Sequence, residues 1–403
     1  MSEIFVIGVD SNGIYSHHDG IKEKLQHCGL IVCSKRLAAC LDAPSAEIFP
    51  ITPLQEAFAR IERGLESGNV AVLASGDPLF FGIGARIIEH FGADSVQVSP
   101  ALSSLQEGFA KFKMSWTDAT IISLHGRTRH HLPGLLLCRE KTFVFTDRLH
   151  TPDKIAAVLL AYLECIGEQR ITKNIVCHVA ENLGMEGEKV RSGSLAEIAH
   201  MEFAELNVLC LIVPDLPTCP VFGLREGDFA HSRGLITKDE VRAATLHRLH
   251  LPRSGVFWDI GGGSGSVSIE AAALSPRLTV YTVEHKDEEL ANIKENIRRY
   301  GLFNIVPSFG RAADLVADLP PPDGVFVGGS SGELEEIIAT AVAQMEPGAR
   351  IVVNGVTEKT ITRAPEIMRR HGMQVESATI TVEREGPDGP QSFNPITIMV
   401  GQK

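Results

Sequence analysis

The chain has 403 residues, of which 44% are hydrophobic and 22% are charged, and its formal net charge is −12. This composition is typical of a soluble globular protein, and the length allows two domains of roughly 100–200 residues each. The negative charge argues against a nucleic-acid partner, because nucleic-acid-binding proteins normally carry a basic surface. The longest apolar runs, such as Val208–Val213, are strand-length, whereas a membrane helix needs about 20 apolar residues. We therefore expect no membrane partner either.

The N-terminus and the cysteines both favour a cytoplasmic protein. The first residues lead directly into a strand-like run, without the basic region and cleavage site of a signal peptide. The eight cysteines are scattered and include no Cys-x-x-Cys pair. We expect them to be buried, reduced thiols, and we expect no protein-bound metal.

Strand-like apolar runs alternate with helical patterns along residues 1–213, which predicts an α/β domain whose sheets are covered on both faces. The predicted strands are Ile4–Val9, Val70–Ala74, Thr120–Ser123, Thr142–Phe145, Ile175–Val179 and Val208–Val213. Pro214–Pro220 then contains three prolines in seven residues, which a helix or a central strand does not tolerate. We therefore predict domains at residues 1–213 and 225–403, joined by a proline-rich linker at residues 214–224.

The second domain is also predicted to be α/β, with its ligand at the carboxyl ends of its strands. Its predicted strands are Val256–Ile260, Thr279–Val283, Ile305–Ser308, Gly324–Val327 and Ile351–Asn354. Residues 374–384 and 394–400 are apolar with little helix signal, which indicates an antiparallel pair. Thr237 is a predicted helix N-cap, because Glu240 follows it at the spacing of a capping box.

A glycine loop, Asp259-Ile-Gly-Gly-Gly-Ser-Gly265, follows the first of these strands and opens a helix. Its glycines allow the backbone to approach a ligand closely, and the N-terminus of the next helix faces the same place. Glu284 ends the next strand, where a carboxylate can accept hydrogen bonds from both hydroxyls of a ribose. The loop and the carboxylate together predict a nucleotide-type cofactor.

The charge of the loop favours S-adenosylmethionine (SAM) over NAD(P). The dinucleotide fingerprint Gly-x-Gly-x-x-Gly/Ala is imperfect. Its last glycine or alanine is replaced by a serine, which is Ser266 or Ser268 depending on the glycine from which the motif is counted. Asp259 adds negative charge, which suits a sulfonium and repels a diphosphate. A tight strand–helix turn without a ligand is the remaining alternative for this stretch.

A second glycine element, Val327-Gly-Gly-Ser-Ser-Gly-Glu-Leu334, follows the fourth strand. Together with Thr237–Arg242, Asp259–Gly265, Glu284 and Gly310–Ala312, it resembles the precorrin-6B C15-methyltransferase (decarboxylating) family of cobalamin biosynthesis. The resemblance covers nearly all of residues 225–403 and implies a Rossmann-like class I SAM methyltransferase.

This resemblance also implies functional residues. The implied cofactor contacts are Thr237, Gly261, Gly262, Gly263, Ser264, Gly265, Glu284 and Ala312. In a class I methyltransferase fold the second glycine element faces the substrate, so Gly328, Gly329 and Ser330 are substrate-side candidates, and an ordinary loop and helix start is the alternative. Asn354, after the fifth strand, is a further substrate-side candidate, with a solvated loop as its alternative interpretation. The sequence departs from the family pattern at Gly262, where the family often has another residue, and at Arg311, where it has Asp.

Four loops of the first domain follow strand-like runs. They are Gly8–Gly13, Ser75–Gly84, Pro100–Ser104 and Glu181–Gly184. In this order they resemble the precorrin-7 C5-methyltransferase branch of the tetrapyrrole methylase family, over residues 1 to about 213. The resemblance implies a two-lobed class III methyltransferase that binds SAM in the cleft between its lobes.

The implied residues around this second SAM are Gly8, Gly76, Asp77, Ser103 and Ser104. Without the resemblance, Asp77 would be interpreted as a turn or helix cap, because Gly-Asp-Pro is a turn signal. The sequence departs from the family at its first loop, where Gly-Val-Asp-Ser-Asn-Gly replaces Gly-x-Gly-Pro-Gly.

Two methylase domains in this order resemble the fused C5,15-methyltransferases (decarboxylating) that act on precorrin-6Y. The resemblance implies SAM-dependent methylation of an anionic precorrin or cobalt-precorrin at C5 and C15, with loss of the C12 acetate carboxyl. Any cobalt would be carried by the substrate. Both families also imply a homo-oligomer, by analogy alone. A NAD(P)-dependent oxidoreductase and a non-catalytic SAM- or corrinoid-binding protein are the alternative functions.

The substrate of such an enzyme carries many carboxylates, for which Arg and His are natural partners. Arg127, Arg129, His130 and His131 cluster in the sequence His-Gly-Arg-Thr-Arg-His-His and are the candidates in the first domain. A solvated loop is the alternative interpretation of the same residues.

Overall fold

The computed structural model describes residues 2–10, 19–41, 45–125, 131–232, 234, 236–386 and 389–403. The candidates Arg127, Arg129 and His130 lie outside these residues. The described residues divide into two compact units. The first lies within Met1–Arg127, Lys141–Ala156 and Val176–Ile212, and the second within Thr128–Glu140, Ala157–Ile175 and Val213–Lys403. No helix in the described ranges is long and apolar enough to cross a membrane.

Strands and helices alternate along the chain as far as residue 212, except that β9 follows β8 directly. The elements are β1 (Ile4–Val9), α1 (Asp19–Gln26), β2 (Cys28–Cys33), α2 (Lys35–Ala38), β3 (Glu47–Pro50), α3 (Leu54–Leu65), β4 (Asn69–Ser75), α4 (Gly84–Phe91), β5 (Val96–Ser99), α5 (Ser104–Phe112), β6 (Thr120–Ser123), α6 (Leu132–Leu136), β7 (Lys141–Phe145), α7 (Pro152–Ile166), β8 (Val176–Glu181), β9 (Lys189–Ser194), α8 (Leu195–Ile198) and β10 (Asn207–Ile212).

The first unit contains two sheets. One has the strand order β3-β2-β4-β1-β5, and its strands are parallel. The other has the order β6-β7-β10-β8-β9, in which only β6 and β7 pair in parallel. In the parallel sheet, Ile7 of β1 pairs with Leu73 of β4 and Ser99 of β5. The loops that follow these three strands therefore leave the same edge of the sheet.

The second unit continues with α9 (Asp239–Leu249), β11 (Ser254–Ile260), α10 (Ser266–Leu274), β12 (Arg277–Glu284), α11 (Asp287–Tyr300), β13 (Ile305–Phe309), α12 (Ala312–Leu315), β14 (Gly324–Val327), α13 (Leu334–Gln344), β15 (Arg350–Gly355), α14 (Glu358–Arg370), β16 (Gln374–Ile380), β17 (Glu383–Gly386), β18 (Gly389–Ser392) and β19 (Ile396–Gln402).

A seven-stranded sheet with the order β13-β12-β11-β14-β15-β19-β16 organises the second unit in the described part of the chain. The first five strands are parallel, and β19 runs antiparallel to both of its neighbours. The predicted antiparallel pair near the C-terminus is confirmed by the pairing of β16 with β19. Trp258 in β11 is fully buried and anchors the core, and its indole N–H donates to the carbonyl of Pro320 at 3.0 Å.

Two local predictions are wrong. Thr237 does not cap a helix, because α9 begins at Asp239 with Lys238 as its N-cap residue. The carbonyl of Thr237 instead accepts a hydrogen bond from the buried Arg242 guanidinium at 2.9 Å, which holds Thr237 outside the helix. The thiols are free but not uniformly buried, since Cys40 and Cys165 are exposed.

Candidate functional site

The two glycine elements of the second unit lie against each other. β11 pairs with β14, so that Ile260 stands beside Val327 and the loops that follow both strands start together. The carbonyl of Ile260 accepts a hydrogen bond from the N–H of Gly328 at 2.9 Å. A Cβ at Gly261 would lie 2.4 Å from the carbonyl oxygen of Gly329. The close approach therefore requires glycine at position 261, where φ is also +69°.

Glu284 closes the third side of this site. It ends β12, the other neighbour of β11, and its side chain is only 5% exposed. Its Oε2 accepts a hydrogen bond from the N–H of Gly263 at 2.9 Å. Its Oε1 accepts from the N–H groups of His285 and Lys286 at 2.8 and 3.0 Å. The carboxylate is thus fixed at the rim of the glycine loop by backbone donors.

These residues surround a cavity of about 220 Å³. Its lining residues are Gly261, Gly263, Glu284, His285, Lys286, Glu289, Gly329 and Ser331. A smaller cavity of about 20 Å³ shares part of this lining and adds Ala312 and Ser330. The structure thus brings together six of the residues predicted for this site, from four different loops.

The other predicted residues of this site do not line either cavity. A Cβ at Gly262 would clash with the Thr282 side chain at 2.4 Å, and one at Gly265 would contact Ile293 at 3.1 Å. Ser264 is buried, and its carbonyl bonds to Asn296. These three residues pack against the protein interior and fix the conformation of the glycine loop.

Three further candidates make contacts within the protein and do not line either cavity. Gly328 is packed beneath the ring of Phe326, where a Cβ would lie 3.0 Å from the ring. The amide of Asn354 donates to the hydroxyl of the buried Thr245 at 3.0 Å. Thr237 is engaged through its carbonyl, as described above.

Asp259 lies beneath the loop and does not face the cavity. Its side chain is fully buried, and its Oδ2 accepts hydrogen bonds from the backbone N–H and the hydroxyl of Ser268. Its Oδ1 has no hydrogen-bond partner in the described part of the chain. Burial raises the pKa of this carboxyl to about 6, although the bonds from Ser268 oppose the rise. Asp259 therefore stabilises the first turn of α10 through Ser268. Its charge acts on the cavity through the glycine loop and not by direct contact.

Glu289 is a cavity residue that sequence reasoning missed. It is 5% exposed and lies in the first turn of α11, where acidic residues are favoured by the helix dipole. An acidic first turn after a nucleotide-binding strand was visible in the sequence, but Asp287 and Glu288 share that feature and are exposed. Only the structure distinguishes Glu289 from its neighbours.

Arg311, a departure from the family pattern, pairs with the second glycine element. Its Nε donates to Oε1 of Glu333 at 2.7 Å, and Oε2 of Glu333 accepts from the N–H of Ala313 at 3.2 Å. The Arg311 guanidinium lowers the pKa of Glu333. The pair joins the loops that follow β13 and β14 at the border of the smaller cavity.

The first unit also brings its predicted loops together. A Cβ at Gly8 would lie 2.3 Å from the Gly76 carbonyl oxygen and 2.5 Å from the Ala101 nitrogen. Gly76 itself has φ of +71°, and a Cβ there would lie 3.1 Å from the Cα of Ser103. The loops after β1, β4 and β5 are therefore in backbone contact, and glycine is required where they meet.

A cavity of about 420 Å³ opens beside these loops. Gly76 and Ser104 line it, together with Arg36, Glu107, His125 and Asn182. Burial raises the pKa of Glu107, and the negative charges of Asp10 and Glu188 act in the same direction. Arg36 donates from Nη2 to the hydroxyl of Ser75 at 2.6 Å.

Aromatic side chains form an apolar wall of the same cavity. Phe80, Phe81 and Phe145 line it, and the rings of Phe81 and Phe145 lie 5.5 Å apart between centroids. Phe81 has φ of +55°, an uncommon conformation for a residue with a bulky side chain. Sequence reasoning did not single out these phenylalanines, because isolated aromatic residues usually belong to a core.

Asp77 and Ser103 make local contacts. Oδ1 of Asp77 accepts from the N–H of Leu79 at 2.9 Å, as expected for a turn. Ser103 is the N-cap of α5 and forms a capping box with Gln106. Neither side chain lines the cavity, so the turn and cap interpretations account for both in this structure.

His131 makes its contacts within the protein, on residues of the second unit. Its Nε2 lies 2.9 Å from the carbonyl oxygen of Phe303, and its ring packs edge-on against Tyr162. Burial lowers its pKa to about 4, so the imidazole is neutral at pH 7. Within the described ranges, no three or more His, Cys, Asp or Glu residues are grouped so as to hold a metal ion.

Comparison with known proteins matches two successive parts of the chain to methyltransferase families. Residues 21–199 match the family described as "Tetrapyrrole (Corrin/Porphyrin) Methylases", and residues 228–398 match the family described as "Precorrin methyltransferase domain". A solved structure titled precorrin-6Y C5,15-methyltransferase from Geobacter metallireducens is 40% identical to this chain. It covers 46% of this chain and 98% of its own, with a TM-score of 0.45.

Curated relatives match in two ways. The "Probable cobalt-precorrin-6B C(15)-methyltransferase (decarboxylating)" of Pyrobaculum calidifontis is 36% identical over 44% of this chain and 94% of its own length. The "Precorrin-6Y C(5,15)-methyltransferase [decarboxylating]" of a Sinorhizobium species is 31% identical over 95% of this chain and 91% of its own length. The two-domain α/β fold and the two family matches are the ones expected from the sequence motifs. The chain belongs to the precorrin-6Y C(5,15)-methyltransferase (decarboxylating) family.

Proposed function

We propose that this chain methylates C5 and C15 of a precorrin or cobalt-precorrin with SAM, and removes the C12 acetate carboxyl as carbon dioxide. One observation carries the proposal. Each unit has its own cavity at the carboxyl ends of parallel strands, where the loops after the strands meet at a glycine, Gly8 or Gly261, at which a Cβ would clash with backbone. The two cavities correspond to two SAM sites and two methyl transfers.

The cavity of the second unit fits SAM by its shape and charge. The contact of Gly261 with Gly329 leaves exposed backbone beside the cavity, and Glu284 offers a fixed carboxylate for ribose hydroxyls. Glu289 adds a second buried carboxylate. Two carboxylates attract a sulfonium, whereas they would repel the diphosphate of NAD(P). The balance of charge therefore supports a methyltransferase over an oxidoreductase.

The cavity of the first unit combines features that suit a second SAM and a macrocycle. Gly76 and Ser104 lie at the meeting point of the three loops. The wall of Phe80, Phe81 and Phe145 suits one face of a flat conjugated ring. Arg36 is a positive group among the lining residues that could pair with a peripheral carboxylate.

SAM supplies an electrophilic methyl group in both reactions. An electron-rich ring carbon attacks this methyl group, the carbon–sulfur bond breaks, and the sulfur keeps the electron pair. At C12, the bond from the acetate methylene to its carboxyl breaks, and the methylene carbon takes up a proton. The residues of the chain orient the two reactants and stabilise charge, and no covalent bond to the protein is required.

Incubation of the purified protein with methyl-labelled SAM and a precorrin, followed by mass spectrometry, tests the proposal. We expect two labelled methyl groups on the product and the loss of one carbon dioxide. The absence of both changes would contradict the proposal.

A thermal-shift comparison of SAM and NAD separates the two enzyme classes, because a bound ligand raises the Tm. Stabilisation by NAD but not by SAM would favour the oxidoreductase.

A further inference from the structure

A segment that precedes the sheet of the second unit is connected to the glycine loop by the hydrogen bonds of one buried side chain. This segment, residues 223–232, is called the arm. Asn296 of α11 is fully buried. Its Oδ1 accepts a hydrogen bond from the N–H of Ala230 in the arm at 2.8 Å. Its Nδ2 donates to the carbonyl of Ala230 at 2.9 Å and to the carbonyl of Ser264 at 2.8 Å.

A second asparagine makes a parallel connection one helical turn earlier. Nδ2 of Asn292 donates to the hydroxyl of Ser232 in the arm at 2.8 Å. The same nitrogen lies 3.2 Å from Oε2 of Glu289, which lines the 220 Å³ cavity. Asn292 thus links the arm to Glu289, which lines the cavity, and Asn296 links it to Ser264, which follows the lining residue Gly263.

The start of the arm is held to the helix that follows the glycine loop. Oε1 of Glu270 in α10 accepts from the N–H groups of Gly223 and Leu224, each at 2.8 Å. Oε2 of Glu270 accepts from Nε of Arg242 at 2.7 Å. Glu270 and Arg242 are both at most 2% exposed. Removing one partner of such a buried pair is strongly destabilising, because the other charge is left unpaired. Since Glu270 also accepts the two N–H groups of the arm, we expect the start of the arm to stay bound to α10.

We infer that the arm sets the geometry of the SAM site in the second unit, with Asn292 and Asn296 as the positioning residues. The inference rests on the proposed function, because it assigns SAM to the 220 Å³ cavity. Without the arm, the amide of Asn296 would lose two of its three partners while it remained buried, which is unfavourable. The hydrogen bond to the Ser264 carbonyl orients the peptide group between Ser264 and Gly265 in the glycine loop. Order in the arm and order in the loop are therefore coupled.

Two variants test the connection from its two ends, in the full-length chain. Asn296→Asp keeps the acceptor for Ala230 but removes both N–H donors. Ser232→Ala removes the arm's hydroxyl and leaves all cavity residues unchanged. We expect the wild type to bind two SAM molecules in equilibrium dialysis with labelled SAM. In both variants, we expect one of the two sites to bind about tenfold more weakly, and the other to keep its affinity.

Ile297→Val is the matched control. Ile297 is buried on the same helix but is not bonded to the arm, so this change lowers the Tm without breaking a connection. Gly263→Arg identifies the affected site, because it fills the cavity of the second unit. In methyl transfer, we expect the KM for SAM to rise at C15 only, with kcat less changed.

Unaltered affinity at both sites in Asn296→Asp and Ser232→Ala would overturn the inference. An equal weakening in Ile297→Val would also overturn it, because the effect would then reflect general destabilisation. Should Asn296→Asp fail to fold, Ser232→Ala decides alone. A wild type that binds two SAM molecules but methylates no precorrin would contradict the proposed function only, and the dialysis result would still decide the inference.

Discussion

The carboxylate of Glu284 accepts a hydrogen bond from the backbone N–H of Gly263, with 2.9 Å between Oε2 and the nitrogen. This bond joins the end of one strand to the glycine loop of its neighbour. The same carboxylate also accepts two further backbone N–H groups, so its position is fixed before a ligand binds. Preorganisation of this kind lowers the entropic cost of binding.

Glu284→Gln should weaken SAM binding at the second unit by roughly 10- to 100-fold. The amide has no charge and replaces one acceptor oxygen with a donor, which faces backbone N–H groups and cannot accept from them. Equilibrium dialysis and the rate of C15 methylation measure the effect. Asp287→Asn, an exposed change three residues away, is the control and should have little effect. Equal SAM affinity in Glu284→Gln and Asp287→Asn would contradict the assignment.

Two glycines of the same loop should respond differently to alanine. In Gly261→Ala the new methyl group would meet the Gly329 backbone at 2.4 Å, so we expect a lower Tm and loss of C15 methylation. At Gly263 the Cβ would meet nothing within 4 Å, although φ is +55°. Gly263→Ala should therefore fold with a cost of roughly 1–2 kcal/mol and bind SAM more weakly, because its methyl group borders the cavity. Thermal melts and SAM titrations of both variants check this contrast. Similar Tm values for both variants would contradict the close contact with Gly329.

The sequence predicted a ligand site at this edge of the sheet for a simple reason. Parallel neighbouring strands bring their carboxyl ends to one edge, so Gly261, Glu284 and Gly329 had to be close once their strands were recognised. Glu289 and Asn296 were not predictable in the same way. Polar residues on a charged helix resemble a solvated face, and only the packing of α11 against the arm and the loop shows that these two are buried.

Other misses have equally local causes. The strand β9 (Lys189–Ser194) has no buried residue and no apolar run that could indicate it. The capping pattern at Thr237 was present, but the pairing of Arg242 with the arm and with Glu270 moved the start of the helix. Tertiary contacts of a buried charge outweighed a local preference in this case.

The first unit offers an equivalent test of its own site. Gly8→Ala would place a methyl group 2.3 Å from the Gly76 carbonyl oxygen and should force the loops after β1 and β4 apart. We expect loss of C5 methylation, while C15 methylation continues in the same chain. Gly29→Ala is the control, because a Cβ at Gly29 in β2 would meet nothing within 4 Å. Mass spectrometry of the products separates the two methylations. Equal loss of both activities in Gly8→Ala would contradict two independent sites.

The buried carboxyl of Asp259 should make the stability of the protein depend on pH. Burial raises the pKa of this carboxyl from 3.8 to about 6 in the folded protein. Between about pH 4 and 6 the folded state therefore holds a proton that the unfolded chain has released. The free energy of unfolding falls as the pH rises through this range, by up to about 3 kcal/mol from this group alone.

Asp259→Asn should remove this dependence. The amide does not titrate, and any cost of its unpaired N–H groups is the same at every pH. The difference in unfolding free energy between variant and wild type should therefore shift in favour of the variant between pH 4 and 7, and should be constant above pH 7. Urea denaturation at several pH values, in the absence of SAM, measures this difference. A difference that stays constant from pH 4 to 7 would show that Asp259 is already ionised at pH 4, and that the hydrogen bonds from Ser268 outweigh the effect of burial.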